Sequence, residues 1–322
     1  MPLQKKSYKK STTKPKVVAV LGQSGAGKSA LALKLARRFG GVIIAADAHT
    51  IYRGFDIGTA KPTRAEQRMV PHFMLNVVSA KERYSAADFQ KKVNKLVYKL
   101  NRTHPNRPIF LVGGTLLYVD AVLKGLDFSA APPDLQLRVK LNKLARTALL
   151  TRLCRVDPIT ARKIDRHNHR RLVRALEVAL TTGHSFYKTR QSHPPDWDVL
   201  KLGVILPQSH LDRRNLKRID RMFRAGWTAE VRQLAKKYPR SAPGFLAHGY
   251  REVQNFIAGQ STLAETKKII ANKTRQNTRR QLRWLKKDPE IIWLGPNQTS
   301  HAPRLVKAFL KKEGDQIRVG ES

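Results

Sequence analysis

Residues 17–29 read VVAVLGQSGAGKS. The stretch begins with a short apolar run that predicts a buried β-strand, and helix-compatible sequence continues from Lys28. Between the two, residues 22–29 match the phosphate-loop pattern G-x-x-x-x-G-K-[ST] in full. We therefore predict a strand, a phosphate-binding loop and a helix, which together form the first unit of an α/β protein.

The phosphate loop predicts how a ligand is held but not which reaction follows. Its glycines let backbone N–H groups curl around phosphate oxygens, Lys28 reaches the terminal phosphates, and the Ser29 hydroxyl can hold Mg²⁺. A nucleotide hydrolase or a small-molecule kinase would also fit. The predicted diphosphate-binding residues are Gly22, Gln23, Ser24, Gly25, Ala26, Gly27, Lys28 and Ser29.

Further apolar runs alternate with helical patterns along the first part of the chain. VIIAAD at 42–47 and PIFLVGG at 108–114 predict strands, and an amphipathic stretch at 86–100 predicts a helix between them. Strands that alternate with helices predict a parallel sheet covered on both faces. The strand at 42–47 ends in Asp47, whereas the strand at 108–114 is followed by a threonine, which weakens the nucleotide-hydrolase interpretation.

The pattern changes to long basic helical segments after residue 132. We predict helices at 134–154, 157–183, 211–237 and 261–287, with strands at 198–206 and 290–295. We expect the following organisation: a disordered basic tail at 1–16, a phosphate-loop α/β core at 17–131, a helical insertion at 132–197, a helical nucleic-acid-binding region at 198–313 that returns to the core, and a tail at 314–322.

The composition indicates a polyanionic partner. The chain carries 63 Lys and Arg against 23 Asp and Glu, a formal net charge of +40. Such an excess repels itself unless a polyanion neutralises it, which favours nucleic acid as the partner. A generally basic adaptation of the host is the alternative.

Several classes of protein are disfavoured by the sequence. No apolar run approaches the ~20 residues of a membrane helix, and the N-terminal stretch has no apolar region typical of a secretory signal. The single cysteine, Cys154, excludes an internal disulfide and is expected in the core. We expect a cytoplasmic monomer that does not act on membranes.

Motifs spread over nearly the whole chain resemble one family, the tRNA dimethylallyltransferases, also called isopentenyl-tRNA transferases. The matching stretches include AADAHTIYRGFDIGTAKPT at 45–63, LVGGTLLYVDAVLKGL at 111–126, RRLVRALEVALTTG at 170–183, GYREV at 249–253 and TRQNTRRQLRWLKKD at 274–288. The combination of DIGTAKP with VGGT-x-LY is the most specific part of the resemblance. It implies a phosphate-loop fold with a mainly helical tRNA-binding region.

The resemblance also implies substrates and catalytic residues. The loop would hold dimethylallyl diphosphate, with Mg²⁺ shared between Ser29 and the diphosphate, and the acceptor would be N6 of the adenine at position 37, beside the anticodon. By the same resemblance Asp47 is the general base, Thr115 lies near the adenine and the diphosphate, and Arg218 contacts the diphosphate. A carboxylate suits this base because the exocyclic amine is a poor nucleophile.

Contacts to the anticodon arm follow from the resemblance and from the basic helix near the C-terminus. The family usually has glutamine where this chain has Thr50 and His169, and tyrosine where it has Asn277. The predicted tRNA-binding residues are Asp47, Ala48, His49, Thr50, Arg138, His167, Asn168, His169, Arg170, Arg171, Arg279, Arg280 and Arg283.

Three alternatives to this function remain at the level of sequence. An isopentenyltransferase that acts on free adenine nucleotide would share the loop and the base. A small-molecule kinase would bind ATP in the same loop, and a catalytically idle RNA-binding protein could retain the fold. The basic helices favour tRNA as the acceptor over a free nucleotide.

Overall fold

The computed structural model describes residues 13–128, 133–187 and 191–311. The predicted tail at 314–322 and residues 1–12 of the predicted tail at 1–16 lie outside these ranges. The chain divides into two compact units. One unit contains the sheet and comprises the described residues up to Val119 and from Asp196 onward, and the other spans Asp120–Pro195. The second unit therefore begins before the boundary predicted at 132.

The first unit is built on a six-stranded sheet in the order β3-β2-β4-β1-β5-β6, with every neighbouring pair parallel. This confirms the predicted parallel α/β core. The predicted strands at 198–206 and 290–295 both join this sheet. The strands are β1 (Lys16–Gly22), β2 (Val42–Ala46), β3 (His72–Phe73), β4 (Ile109–Gly113), β5 (Asp198–Val204) and β6 (Ile292–Leu294).

Helices surround this sheet and make up most of the second unit. The first unit holds α1 (Lys28–Arg38), α2 (Arg64–Met69), α3 (Ala86–Thr103), α9 (Gln208–Arg224), α10 (Trp227–Lys237), α11 (Tyr250–Ile257), α12 (Leu263–Leu285) and α13 (Ala302–Lys311). Helix α4 (Leu116–Leu123) begins in it, and α5 (Leu135–Asn142), α6 (Arg146–Val156), α7 (Pro158–Lys163) and α8 (His169–Thr182) belong to the second unit. None of the helices described is both long and apolar enough to cross a membrane.

Three of the predicted long helices are each two helices in the structure. The first break, at residues 143–145, separates α5 from α6. At the second break, α7 ends at Lys163, and the Asn168 side chain accepts the hydrogen bond that begins α8. Side chains of this kind begin helices because they satisfy backbone N–H groups that lack an intrahelical partner. The third break lies at Gly226, between α9 and α10. The predictions were wrong here because hydrophobic periodicity continues across short breaks.

Each unit has its own apolar core. The strands of the first unit pack against α1 and α13, and a second cluster around Trp227 and Tyr250 packs beneath the segment that follows β2. In the second unit Leu149, Leu153 and Leu172 are fully buried. Cys154, one residue after Leu153, is exposed, so its predicted place in the core was wrong.

A buried carboxylate organises the second unit. The Glu177 side chain is 0% exposed and pairs with Arg138 at 2.8 Å and Arg174 at 2.6 Å. The backbone N–H of Asp134 donates to the same carboxylate at 2.8 Å. Because a buried charge is costly without partners, these contacts fix α5 against α8. The guanidinium of Arg138 therefore serves this packing, whatever else it contacts.

Candidate active site

The loops after β1, β2 and β4 meet at one edge of the sheet. β1 and β2 both pair in parallel with β4, so the carboxyl ends of the three strands lie side by side. In open α/β sheets ligands bind at this edge. The phosphate loop follows β1, Asp47 follows β2, and Thr115 follows β4. The topology thus brings together the predicted loop and two predicted catalytic residues.

The phosphate loop has the backbone shape that anion binding requires. Gly25 has φ 84°, and a Cβ atom there would lie 2.4 Å from Asn215 Oδ1 on α9. Only glycine fits this combination of a left-handed backbone and a close neighbour. Helix α1 starts directly after the loop, and among the described residues no acidic side chain occupies its first turn and none caps it. Its N–H groups can therefore bind an anion.

Two cations and one carboxylate from different elements influence one another's charge at the loop. Burial lowers the pKa of Lys28 to about 8, while Asp47 raises it and Arg218 lowers it further. Burial also lowers the pKa of the Arg218 guanidinium, and the negative charge of Asp47 opposes this effect. The three side chains are therefore close enough for their charges to interact. Because the charged form of Lys28 is disfavoured by burial, an anion bound at the loop would stabilise it.

Hydrogen bonds fix the carboxylate at the end of β2. Asp47 Oδ1 accepts the backbone N–H of His49 at 2.8 Å, and Thr115 Oγ1 accepts the N–H of Ala48 at 2.9 Å. The Thr115 N–H in turn donates to the Ala46 carbonyl at 3.2 Å. Thr115 therefore joins the loops after β2 and β4 and orients the segment that carries Asp47.

The DIGTAKP motif, residues 56–62, is anchored by hydrogen bonds to α10 and within the segment that follows β2. Glu230 on α10 accepts the backbone N–H groups of Asp56 and Ile57, at 3.0 and 2.8 Å, and the hydroxyl of Tyr250 at 2.6 Å. Lys61 Nζ donates to the Tyr52 carbonyl at 2.8 Å and pairs with Asp56 at 2.5 Å. These contacts anchor the long segment after β2 to the second core cluster.

Two side chains that the sequence did not suggest contact the phosphate loop from helices α9 and α12. Asn215 Nδ2 donates to the Ser24 carbonyl at 3.5 Å, and Gln281 Oε1 accepts the Ser24 N–H at 2.8 Å. Both side chains are buried, at 5% and 6% exposed. Burial cannot be read from the sequence and α12 carries other amide residues, so no sequence signal singles out Gln281.

The predicted tRNA-binding residues of the first unit differ in exposure. Thr50 is buried, with Oγ1 at 3.5 Å from the Asp47 carbonyl. His49 is half-buried, and its ring contacts His248 edge-to-face with centroids 5.5 Å apart. Burial lowers the pKa of His248, and the neighbouring His49 lowers it further. Sequence reasoning did not identify His248, since it lies about two hundred positions from His49 in the chain.

Three predicted RNA-binding arginines lie on the outer face of α12. Arg279, Arg280 and Arg283 are exposed, whereas Thr278 and Gln281, interleaved with them, are buried. The 3.6-residue period of the helix accounts for this alternation. Helix α12 therefore has a buried face against the phosphate loop and an exposed cationic face.

The predicted contacts of the second unit cluster at the start of α8. Asn168 caps the helix by accepting the Arg171 N–H at 3.2 Å, so part of its predicted role is structural. His167, Arg170 and Arg171 are exposed, and His169 is half-buried. Arg138, by contrast, pairs with Glu177.

The fold and the site define a phosphate-loop α/β protein with a carboxylate opposite the loop. Residues 50–288 match the model of the family described as IPP transferase, and the chain belongs to this family. A tRNA dimethylallyltransferase of Trichormus variabilis is 38% identical over 278 residues, covering 86% of this chain and 93% of the relative. One of Thermomicrobium roseum is 37% identical, covering 93% of each chain. The predicted family and class of enzyme are confirmed.

Solved structures share the fold. The full-length tRNA isopentenylpyrophosphate transferase of Bacillus halodurans is similar with a TM-score of 0.69 and 29% identity, covering 92% of this chain and 97% of that chain. A eukaryotic dimethylallyltransferase acting on tRNA gives a TM-score of 0.75 at 23% identity, covering 92% and 78%. The latter likeness bears on the fold alone.

The lowered pKa of Lys28 predicts how pyrophosphate binding changes with pH. Lys28 of the free protein carries its full charge well below pH 8 and loses it as pH rises through about 8. Pyrophosphate favours the charged form, so its affinity should fall as pH rises from 7 to 9. The arginine of the Lys28→Arg variant keeps its charge over this range. The ratio of the affinity at pH 7 to the affinity at pH 9 should therefore be about tenfold smaller for this variant than for the wild type. Isothermal calorimetry with inorganic pyrophosphate at both pH values measures the two ratios.

Comparing ratios cancels the titration of pyrophosphate itself, since it is the same in both experiments. If the ratio of the affinities at pH 7 and pH 9 is the same for the wild type and for Lys28→Arg, the titration of Lys28 does not control pyrophosphate binding and the account of the loop's charge is contradicted.

Proposed function

We propose that this chain transfers the dimethylallyl group of dimethylallyl diphosphate to N6 of the adenine at position 37 of tRNA, and releases diphosphate. The observation that carries the proposal is the convergence of the phosphate loop, Asp47 and Arg218 at one sheet edge. Membership of the IPP transferase family and the named activity of the relatives support it.

The leaving group sets the main electrostatic requirement of this reaction. The bond between the allylic carbon and the diphosphate oxygen breaks, so negative charge grows on the oxygen that leaves. Lys28, Arg218 and the N–H groups at the start of α1 supply fixed positive charge where the loop holds the diphosphate. Charge that is already in place costs no reorganisation during the reaction. In this proposal the loop is a binder of the leaving group.

The acceptor needs a base because its amine is a poor nucleophile. As the bond from N6 to the allylic carbon forms, the amine gains positive charge and must lose a proton. Asp47 is the carboxylate at the edge where the loops meet, and its hydrogen bond from His49 and the neighbouring Thr115 contact hold it there. We propose that Asp47 accepts this proton.

The residues present fit Mg²⁺ held together with the diphosphate. The hydroxyl of Ser29 lies at the first turn of α1 and is exposed. No group of three or more His, Cys, Asp or Glu side chains that could hold a metal occurs among the described residues. Magnesium is usually bound by few protein oxygens together with substrate phosphates, which suits this arrangement. When bound there, the ion would neutralise charge on the departing diphosphate.

The charge distribution favours tRNA over a free nucleotide as the acceptor. A free adenine nucleotide needs only a small site, whereas the chain carries a net charge of +40 and exposes Arg279, Arg280 and Arg283 on one helix next to the loop. A row of such charges matches a phosphate backbone. The adenine must also leave the loop stack to reach Asp47, as bases do when enzymes modify them.

An assay with labelled dimethylallyl diphosphate tests the acceptor and the base together. Label should enter tRNA at the adenine beside the anticodon, and AMP should remain unlabelled. Asp47→Asn should lower turnover by at least about 100-fold, because the amine loses its proton acceptor. The affinity for tRNA should change little.

Asp196→Asn is the matched control, since this carboxylate is 75% exposed and pairs with Lys14 at 2.6 Å. Label that enters AMP but not tRNA would reject the proposed acceptor. Full turnover by Asp47→Asn would remove Asp47 as the base.

Neutralising the cationic face of α12 tests the RNA surface. Changing Arg279, Arg280 and Arg283 to glutamine should weaken tRNA binding and flatten the plot of log affinity against log salt by about two, since three phosphate contacts are lost. The pyrophosphate affinity should change far less. Filter binding of tRNA at several salt concentrations measures the slope.

The control makes the same change of charge elsewhere. Lys91, Lys92 and Lys95 on α3 are exposed and can be changed to glutamine together. If this control flattens the salt dependence as much as the arginine variant does, net charge and not the α12 face accounts for binding.

A further inference from the structure

Helix α12 buries polar side chains on the face that it turns toward the phosphate loop. Thr278 is 0% exposed and Gln281 is 6% exposed, and both lie in a stripe with the buried Ile270 and Leu285. A buried polar group costs free energy unless it finds hydrogen-bond partners. The hydrogen-bond partners of this face therefore show which parts of the protein it holds in place.

The Gln281 amide uses both of its ends. Its Oε1 atom accepts the Ser24 N–H at 2.8 Å and lies 3.3 Å from the Ser24 hydroxyl, which donates to it. Its Nε2 atom donates to the Gly114 carbonyl at 2.8 Å. One side chain thus connects the phosphate loop after β1 to the loop after β4, which also carries Thr115.

The space around Gly114 is shaped for this amide. A Cβ atom at Gly114 would lie 2.5 Å from Gln281 Nε2 and 3.6 Å from Lys28 Nζ. Glycine at this position therefore leaves room for the amide, and the lysine of the loop borders the same space. A second contact reinforces the docking, since Gln23 Nε2 lies 3.4 Å from the Thr278 carbonyl to which it donates.

The same contacts decide which N–H groups of the loop remain for a ligand. The Ser24 N–H is held by Gln281, and the Ala26 N–H donates to the Gln23 carbonyl at 3.1 Å. The N–H groups at the start of α1, which begins at Lys28 and has no side-chain cap, can bind an anion. A loop with these two groups already satisfied is fixed in shape before a ligand arrives, which lowers the cost of binding.

We propose that Gln281 is a positioning residue that holds the phosphate loop in the conformation that binds the donor diphosphate. It acts through the Ser24 N–H and the Gly114 carbonyl and does not itself contact the donor. The proposal rests on the proposed function, because it assigns the diphosphate to this loop.

Replacing Gln281 by methionine removes the hydrogen bonds and keeps a side chain of similar size. The dissociation constant for inorganic pyrophosphate should rise about tenfold, and the KM for dimethylallyl diphosphate should rise in parallel. The value of kcat should stay within about twofold, since Lys28 and Arg218, the charged side chains that stabilise the leaving group, are unchanged in this variant. Gln276→Met, a change at an exposed position of the same helix, should alter none of these values.

A purely structural role for Gln281 would give a different result. The thermal midpoint and the active fraction would fall, kcat would fall with them, and the KM for the donor would stay as it is. That pattern would overturn the proposal.

Replacing Gly114 by alanine should also break the Gln281 hydrogen bonds and weaken pyrophosphate binding. The backbone at Gly114 lies outside the left-handed region, so alanine can adopt it, but the added methyl would displace the Gln281 amide. If Gln281→Met and Gly114→Ala both act by breaking the same contact, their effects should not add. The double variant should then bind pyrophosphate no more than about twofold less tightly than whichever single variant binds it less tightly. Losses that multiply in the double variant would overturn the proposal.

Different results would contradict the proposed function and the proposed role of Gln281. A wild-type chain that does not bind pyrophosphate would contradict the proposed function itself. A wild-type chain that binds pyrophosphate and transfers the allyl group, but whose Gln281→Met variant does both equally well, would overturn only the role of Gln281.

Discussion

The site depends on one constraint, the parallel pairing of β4 with both β1 and β2. Because neighbouring parallel strands end at the same edge, the three loops that follow them must meet there. A phosphate loop, a carboxylate and a threonine that lie far apart in the chain therefore become neighbours through the pairing of the strands alone. The chemistry we propose needs two opposite charges at this edge: positive charge for the diphosphate and a carboxylate for the amine. The pKa of Lys28 is lowered mainly because the lysine is buried, and the positive charge of Arg218 lowers it further.

Helices α9 and α12 relate this edge to the cationic surface. Helix α9 contributes Asn215 and Arg218 to the site, and α12 contributes Gln281. The outer face of α12 carries exposed arginines, so one helix serves both the loop and the proposed RNA surface. The segment after β2 is held separately, through Glu230 and Lys61. The motif most specific to the family, DIGTAKP, therefore contributes to the site by fixing the backbone that follows Asp47.

Local signals in the sequence were sufficient for the phosphate loop and the main strands, and the resemblance added Asp47, Thr115 and Arg218. Apolar runs identify β1, β2 and β4, because strands covered on both faces are apolar throughout, whereas β5 is recognised despite Asp198 and Lys201. Contacts between segments that are distant in the chain could not be predicted from these local patterns. Gln281 and Ser24 are separated by 257 positions, and only the packing of α12 brings them together. Packing also decides the state of two residues assigned to RNA by resemblance: Thr50 is buried, and Arg138 pairs with Glu177.

The central claim is that this phosphate loop binds an allylic diphosphate and not a nucleotide. Calorimetric titration with dimethylallyl diphosphate and with ATP, each in the presence of Mg²⁺, tests it most directly. The account predicts that dimethylallyl diphosphate binds at least about 100-fold more tightly, a difference of about 2.7 kcal/mol. ATP that binds more tightly than dimethylallyl diphosphate, and that competes with pyrophosphate for the loop, would contradict the account and favour a kinase.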